Sequence, residues 1–94
     1  MGVQVRDLPL RSRYEARVDG RHAGQAAYRL EGERIEFTHT KVDDAFEGQG
    51  VGSVLVRFAL DDARARGLSV VPTCPFVRAW IDKHPAYADL VATD

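Results

Sequence analysis

The apolar pattern of this 94-residue chain first turns helical at three glycines set two apart. Before them apolar residues alternate. In "SRYEARV", residues 12–18, Tyr14, Ala16 and Val18 can share one face. In "RIEFTHTKV" Ile35, Phe37 and His39 are expected on one side, with Glu36, Thr38 and Thr40 on the other. "AGQAAYRL" lies between them, and Asp19-Gly20 and Gly32 mark the turns, so the first half predicts a three-stranded antiparallel meander. After "FEGQGVGSVL", residues 46–55, the spacing becomes helical, and Val51, Val54, Leu55, Phe58 and Ala59 are expected along one side. Arg57–Asp61 and Asp62–Arg66 stand four apart on the exposed side, and Gly67 is placed to end the helix. "LSVVP" predicts a buried strand. Pro75 opens a second helix, "PFVRAWIDKH", with Phe76, Ala79 and Trp80 facing inward; Pro85 ends it before a short turn at "AYADLV". The order predicted is β-β-β-α-β-α, an α+β fold in a single domain over residues 1–94.

A chain of this length buries only about 60–65% of the surface its unfolded form exposes. A formal net charge of −1 gives no bulk argument for nucleic acid or an anionic membrane, and neither is expected as a partner. Arg11, Arg13 and Arg17 read as a solvated strand face, with a binding stripe as the alternative. The lone Cys74 precludes an internal disulfide, the three histidines are too scattered for a metal site, and no apolar run approaches a membrane span. With no leader pattern in "MGVQVRDLPL", a cytoplasmic protein is expected, monomeric or weakly dimeric.

Gly48, Gly50 and Gly52 fall where a strand hands over to a helix, so the first unpaired N–H groups of that helix can face an anion without side-chain carbons in the way. Ser53 adds a hydroxyl. A mononucleotide loop would need a lysine after its last glycine, and the chain has Val51-Gly52-Ser53 there. A dinucleotide loop would need G-x-G-x-x-G in a parallel β-α-β unit and an acid about 20 residues on, where Val71 and Pro72 stand. A glycine-rich turn that binds nothing stays open on spacing alone.

"EGQGVGSVLV" resembles the pyrophosphate-binding motif of the GNAT superfamily of N-acetyltransferases, Gln/Arg-x-x-Gly-x-Gly/Ala, with Gly50 and Gly52 at its small positions and Glu47 where Gln or Arg is usual. "HT-V", the glycine loop, "CPF" and "HP-Y" occur in the order carried by the minimal YjdJ-type, GCN5-like small acetyltransferases. The resemblance covers about residues 12–91 and implies a truncated version of the superfamily fold, with acetyl-CoA as cosubstrate. It implies that the strand backbone at Thr40, Lys41 and Val42 holds pantetheine and that residues 48–53, Gln49 and Val51 included, hold pyrophosphate mainly through backbone. Where larger members carry a tyrosine acid on the last helix, Ile81 stands, which implies that this acid is absent.

Cys74 ends the second-half strand and precedes a helix that starts with proline. A helix N-terminus favours thiolate, so Cys74 is a candidate acetyl acceptor or proton donor; the alternatives are a cofactor contact beside the thioester without essential chemistry, and a buried small hydrophobe. His39 is the candidate base, with a packed histidine as alternative. Phe76, His84 and Tyr87 are candidate cofactor contacts; core packing competes for Phe76 and Tyr87, and a helix cap for His84. His22 is expected in solvent. Three functions follow: transfer of acetyl to an amine of a small molecule, peptide or protein; a non-catalytic acyl-CoA-binding module; or an interaction domain without cofactor.

Overall fold

In the computed structural model, which describes residues 2–93, the chain forms one five-stranded sheet with both α-helices on the same face. Strands β1 (Val3–Leu8), β2 (Arg13–Val18), β3 (Arg21–Glu31) and β4 (Arg34–Val42) run antiparallel in sequence order. Helix α1 (Val51–Ala65) then crosses back so that β5 (Ser69–Pro72) lies parallel to β4. Helix α2 (Pro75–Lys83) and a 3₁₀ segment (Pro85–Leu90) close the fold.

The α+β class stands, but the meander has four strands, and the observed order is β-β-β-β-α-β-α. Strand β1 escapes an apolar-pattern reading because its inward face runs Val3, Val5, Asp7, set against Val18, Ala16 and Tyr14 of β2. Asp7 is tolerated there because Tyr28 Oη donates to it at 2.6 Å and Arg66 lies 3.5 Å away. Tyr14 Oη donates to Asp62 at 2.5 Å, and Arg66 also reaches Asp62 at 3.3 Å. Two tyrosines, two aspartates and one arginine thus tie β1, β2 and β3 to the C-terminal end of α1.

Both helices are turned slightly from the expected faces. Helix α1 buries Val51, Leu55, Val56, Ala59, Leu60 and Ala63, while Val54 and Phe58 stay at 40% exposure on its margin. A helix that crosses every strand needs a broad stripe, and Val56, Leu60 and Ala63 widen it. Each of the large aliphatic residues contributes about 1.5–3 kcal/mol by leaving water. Helix α2 buries Val77, Trp80 and Ile81, whereas Ala79 and Phe76 are exposed. Helix α1 ends as the glycine predicts: Leu68 N–H reaches Ala63 O and Gly67 N–H reaches Arg64 O, the Schellman pair. Asp62–Arg66 forms, but Arg57 and Asp61 meet instead at Tyr87, whose hydroxyl donates to Asp61 at 2.8 Å and accepts from Arg57 at 3.4 Å.

Strand β4 carries the irregularity that matters most. Its register to β3 runs Tyr28↔Phe37 and then Ala27↔His39, so Thr38 is an extra residue. A bulge of one residue inverts the alternation beyond it. Ile35 and Phe37 face the core; after the bulge Thr40 and Val42 do, and His39 and Lys41 do not. His39 was expected on the Phe37 side and instead is exposed on the opposite face of the sheet.

Candidate active site

Strands β4 and β5 pair only from Arg34↔Ser69 to Phe37↔Pro72. A tight turn, in which Thr73 N–H returns to Val71 O at 3.0 Å, swings the chain aside, and Cys74 N–H makes a last bond to Phe37 O at 2.8 Å. Beyond it β4 continues to Val42 without β5 beside it. Asp43 N–H bonds Ala23 O across to β3. By strand alternation, Lys41 shares that direction, and the main-chain groups of Thr40 and Val42 point into the opening left by β5.

The other wall is the start of α1. Phe46 is buried and anchors a 3₁₀ turn, Asp44–Phe46, from which residues 47–50 loop outward. Gly48 and Gly50 take φ of 81° and 78°, a region costly for side chains, and Gly50 is the N-cap without a side-chain cap bond. The first-turn N–H groups of α1 therefore have no capping side chain in front of them. Gly52 is small for a different reason: a Cβ there would lie 2.8 Å from Phe76 Cζ and 3.4 Å from Val42 Cγ2. Thr40, Val42, Gly48, Gly50, Val51, Gly52, Ser53 and Phe76, all singled out in the sequence, line one groove of about 570 Å³ together with Phe46 and Glu47.

Cys74 does not line the groove itself but lies behind its wall at Thr40. It is the N-cap of α2 and 4% exposed, and its Sγ lies 3.5 Å from Thr40 Oγ1. Burial pushes its thiol pKa up, but the Thr40 hydroxyl and the backbone N–H groups of Val77, Phe76 and Thr40 outweigh it and hold the thiol below its ordinary value.

Ser53 Oγ accepts from Trp80 Nε1 at 2.8 Å, so its own proton stays available to the groove. Trp80 stacks on His84, with centroids 3.8 Å apart, and meets Tyr87 edge-on at 5.0 Å, while Arg57 lies over both rings. His84 Nδ1 is 2.7 Å from Trp80 O; a carbonyl only accepts, so the proton is on Nδ1 and Nε2 is the free nitrogen. His84 and Tyr87 thus reach the groove only through Trp80 and Ser53. Gln49 is exposed, its amide 3.5 Å from Ala45 O. Lys41 and His39 lie on the far face, and His22, expected in solvent, is 2.8 Å from Glu15. Among the described residues no three His, Cys, Asp or Glu side chains gather as metal ligands, and no helix is long and apolar enough to cross a membrane. The Ser53–Trp80 link spans 27 positions and leaves no local signal in the sequence.

Known proteins share this architecture. The NATD1 proteins of Mus musculus and Gallus gallus are 30% and 29% identical over 85 residues, which is 88% of this chain and 77% of each of them. A solution structure of a GCN5-like N-acetyltransferase candidate from Staphylococcus aureus superposes with a TM-score of 0.73 at 22% identity, covering 97% of this chain and 89% of that one. N-acetylglutamate synthase from Neisseria gonorrhoeae, solved with coenzyme A and N-acetyl-glutamate, has a TM-score of 0.58 at 22% identity, covering 78% of this chain and 18% of that one. The family model described as GCN5-related N-acetyl-transferase matches residues 13–90. The protein belongs to the GCN5-related N-acetyltransferase family.

Proposed function

We propose that the protein transfers acetyl from acetyl-CoA to an amine, on a lysine or N-terminus of a polypeptide or on a small molecule. One observation carries the reading: an uncapped helix N-terminus and an unpaired stretch of strand edge converge on one groove, with a buried thiol packed against Thr40 of its wall. The N–H groups of Gly48 and of Gly50 to Ser53 suit a pyrophosphate, whereas that of Gln49 is turned to Phe46 O; the Ser53 hydroxyl adds a donor, and the main chain of Thr40 and Val42 suits the amides of pantetheine. The coenzyme A bound to the Neisseria gonorrhoeae enzyme supports the choice of ligand. Acetyl-CoA brings the acetyl group as a thioester, and Cys74 lies directly behind Thr40 of the groove wall. Its thiol can protonate the departing thiolate or, as thiolate, accept acetyl in a first step and pass it to the amine. His39, on the open face of the sheet, can take the proton of an amine that arrives from that side. Cytoplasmic residence and a monomeric or weakly dimeric state go with this reading.

A module that binds acyl-CoA without turnover is the second reading. It is favoured by Ile81, a buried aliphatic residue at 5% exposure where the acid of larger relatives is expected. Thermal unfolding with CoA and acetyl-CoA, followed by intact mass, separates the two. Binding to the folded state alone must raise the melting temperature. An acetyl adduct that disappears in Cys74→Ala indicates the covalent route, and turnover with Cys74→Ala and no adduct indicates direct transfer. Binding without turnover on a broad amine panel selects the second reading. Gly50→Asp sets a carboxylate against the pyrophosphate and is expected to abolish the thermal shift.

A further inference from the structure

The helices cover one face of the sheet and leave the other bare. Register places its side chains in rows across four strands. One row runs Leu8, Arg13, Ala27, His39, and the next runs Arg6, Glu15, Gln25, Lys41. Arg17 and Arg29 flank them.

The two central carboxylates of this face are already engaged. Glu15, 6% exposed, lies 3.0 Å from Arg17, 2.8 Å from His22 and 3.5 Å from Arg6. Glu36 accepts from Thr73 at 2.6 Å and lies 3.4 Å from Arg29. Cations remain without a counterion. Arg13 Nε is buried with no hydrogen-bond partner, and Lys41 is exposed with no ion pair among the described residues. The face is cationic on a chain whose net charge is −1. Ala27, between Arg13 and His39, leaves low ground with a cation on one side and an imidazole on the other. Strands stand about 4.8 Å apart, so the Cα atoms of Arg13 and His39 are about 10 Å apart, a span one carboxylate can bridge.

We propose that this open face docks an acidic polypeptide segment, and that the acceptor amine belongs to a lysine or N-terminus flanked by Asp or Glu. The clause about the amine rests on the acetyl-transfer reading; the docking itself does not. Lys41 and the His39 imidazole carry the two rows to the part of β4 that β5 leaves unpaired, so a segment lying on the face delivers its amine to the gap beside Cys74. A second copy of the same face would set cation against cation. A nucleic-acid backbone, whose charges repeat at fixed spacing, would have to pass over Glu15 and Glu36; a peptide can place separate carboxylates around them.

The test uses a fluorescent peptide with one lysine among glutamates, its glutamine-substituted twin and a DNA duplex, read by anisotropy at low and high salt and by amide-shift mapping. The acidic peptide is expected to bind about tenfold tighter than the twin, to weaken as salt rises, and to shift amides of β2, β3 and β4. Arg29→Glu, at an exposed position, and Arg13→Gln should each weaken it several-fold, while the CoA-induced rise in melting temperature is kept, which also certifies that the variants fold. Equal binding of the two peptides, or no loss in Arg29→Glu, overturns the proposal. Tighter binding of the duplex, lost in the same variants, overturns it in favour of nucleic acid. Peptide binding with no CoA shift in the parent protein leaves the docking face standing and removes the acetyl-transfer reading instead.

Discussion

Gly52 and Phe76 are fitted to each other: a Cβ on residue 52 would lie 2.8 Å from the tip of the Phe76 ring and 3.3 Å from its Cε1. The contact joins the first turns of α1 and α2 and sets one wall of the groove. Phe76 is 45% exposed, so the ring can swing away, and the open groove is one direction for it to go. Gly52→Ala is therefore expected to cost under about 1 kcal/mol of stability, the clash being offset by better helix propensity. The same change should weaken CoA binding several-fold. Pairing it with Phe76→Ala should restore binding, since the displaced ring is then gone. Calorimetry on the two single variants and the double variant closes the cycle; additive losses would deny the steric link.

Glu47 lines the groove close to the uncapped start of α1. An anion there is stabilised by the helix dipole, and it competes with a pyrophosphate for the same potential. Glu47→Gln keeps the shape and removes the charge. The expected result is tighter CoA binding, by about 0.3–1 kcal/mol, with a weaker salt dependence. Unchanged affinity would mean that the carboxylate and the phosphates do not share the field.

These two positions show what sequence alone carries. A glycine loop entering a helix is local, so its backbone chemistry can be read from a dozen residues, and the groove residues 48, 50–53 follow from it. Relations between distant segments are different. Asp7 faces inward because Tyr28 meets it, so β1 has no clean apolar alternation to announce it. Thr38 looks like any strand residue, yet as a bulge it reverses the faces of His39 and Thr40. The exposed Phe76 and buried Val77 depend on how α2 lands beside α1, which periodicity within either helix does not specify.

Thr40 is the hydroxyl partner of Cys74, at 3.5 Å. Thr40→Val keeps the volume and removes the hydroxyl that favours thiolate, while the backbone donors at Val77, Phe76 and Thr40 remain. The thiol pKa is expected to rise. Alkylation rate against pH, measured on the free protein, should show its midpoint move to higher pH, and saturating CoA should slow alkylation in both proteins. If Cys74 acts as a thiolate nucleophile, the rising limb of the activity profile should move by the same amount; if it acts as the proton donor, the falling limb should. A midpoint unchanged by the substitution would remove Thr40 from the control of the thiol.

Tyr14 and Tyr28 have phenol pKa values raised above the ordinary 10.0, by burial first and then by their bonds to Asp62 and Asp7. The folded state holds these protons more tightly than the unfolded chain. The associated stability is therefore complete below about pH 10 and is lost as pH rises beyond it. Tyr14→Phe is expected to cost about 1–2 kcal/mol at neutral pH through the lost bond to a carboxylate. Urea unfolding between pH 8 and pH 11 (a range of about three units around the phenol pKa) should show the parent falling and the Tyr14→Phe/Tyr28→Phe protein falling less. Parallel curves would refute the coupling.

Glu15 gives the opposite sign. Its bond to His22, then that to Arg17, holds the carboxyl at about 2 against an ordinary 4.5, with burial opposing. The depressed value stabilises the folded state above pH 4.5 and is lost as pH falls toward 2. Arg17 and His22 are 41% and 35% exposed, so water screens the cluster, and its contribution is about 1–2 kcal/mol rather than the full shift. Glu15→Gln leaves Arg6, Arg17 and His22 facing one another without an anion, and it should lower stability by that amount at neutral pH. The gap between parent and variant should close as the parent's carboxyl is protonated, and it should shrink in high salt at any pH. A gap that persists undiminished in strong acid would mean that Glu15 acts through packing, and that the charge of this cluster does not hold the open face together.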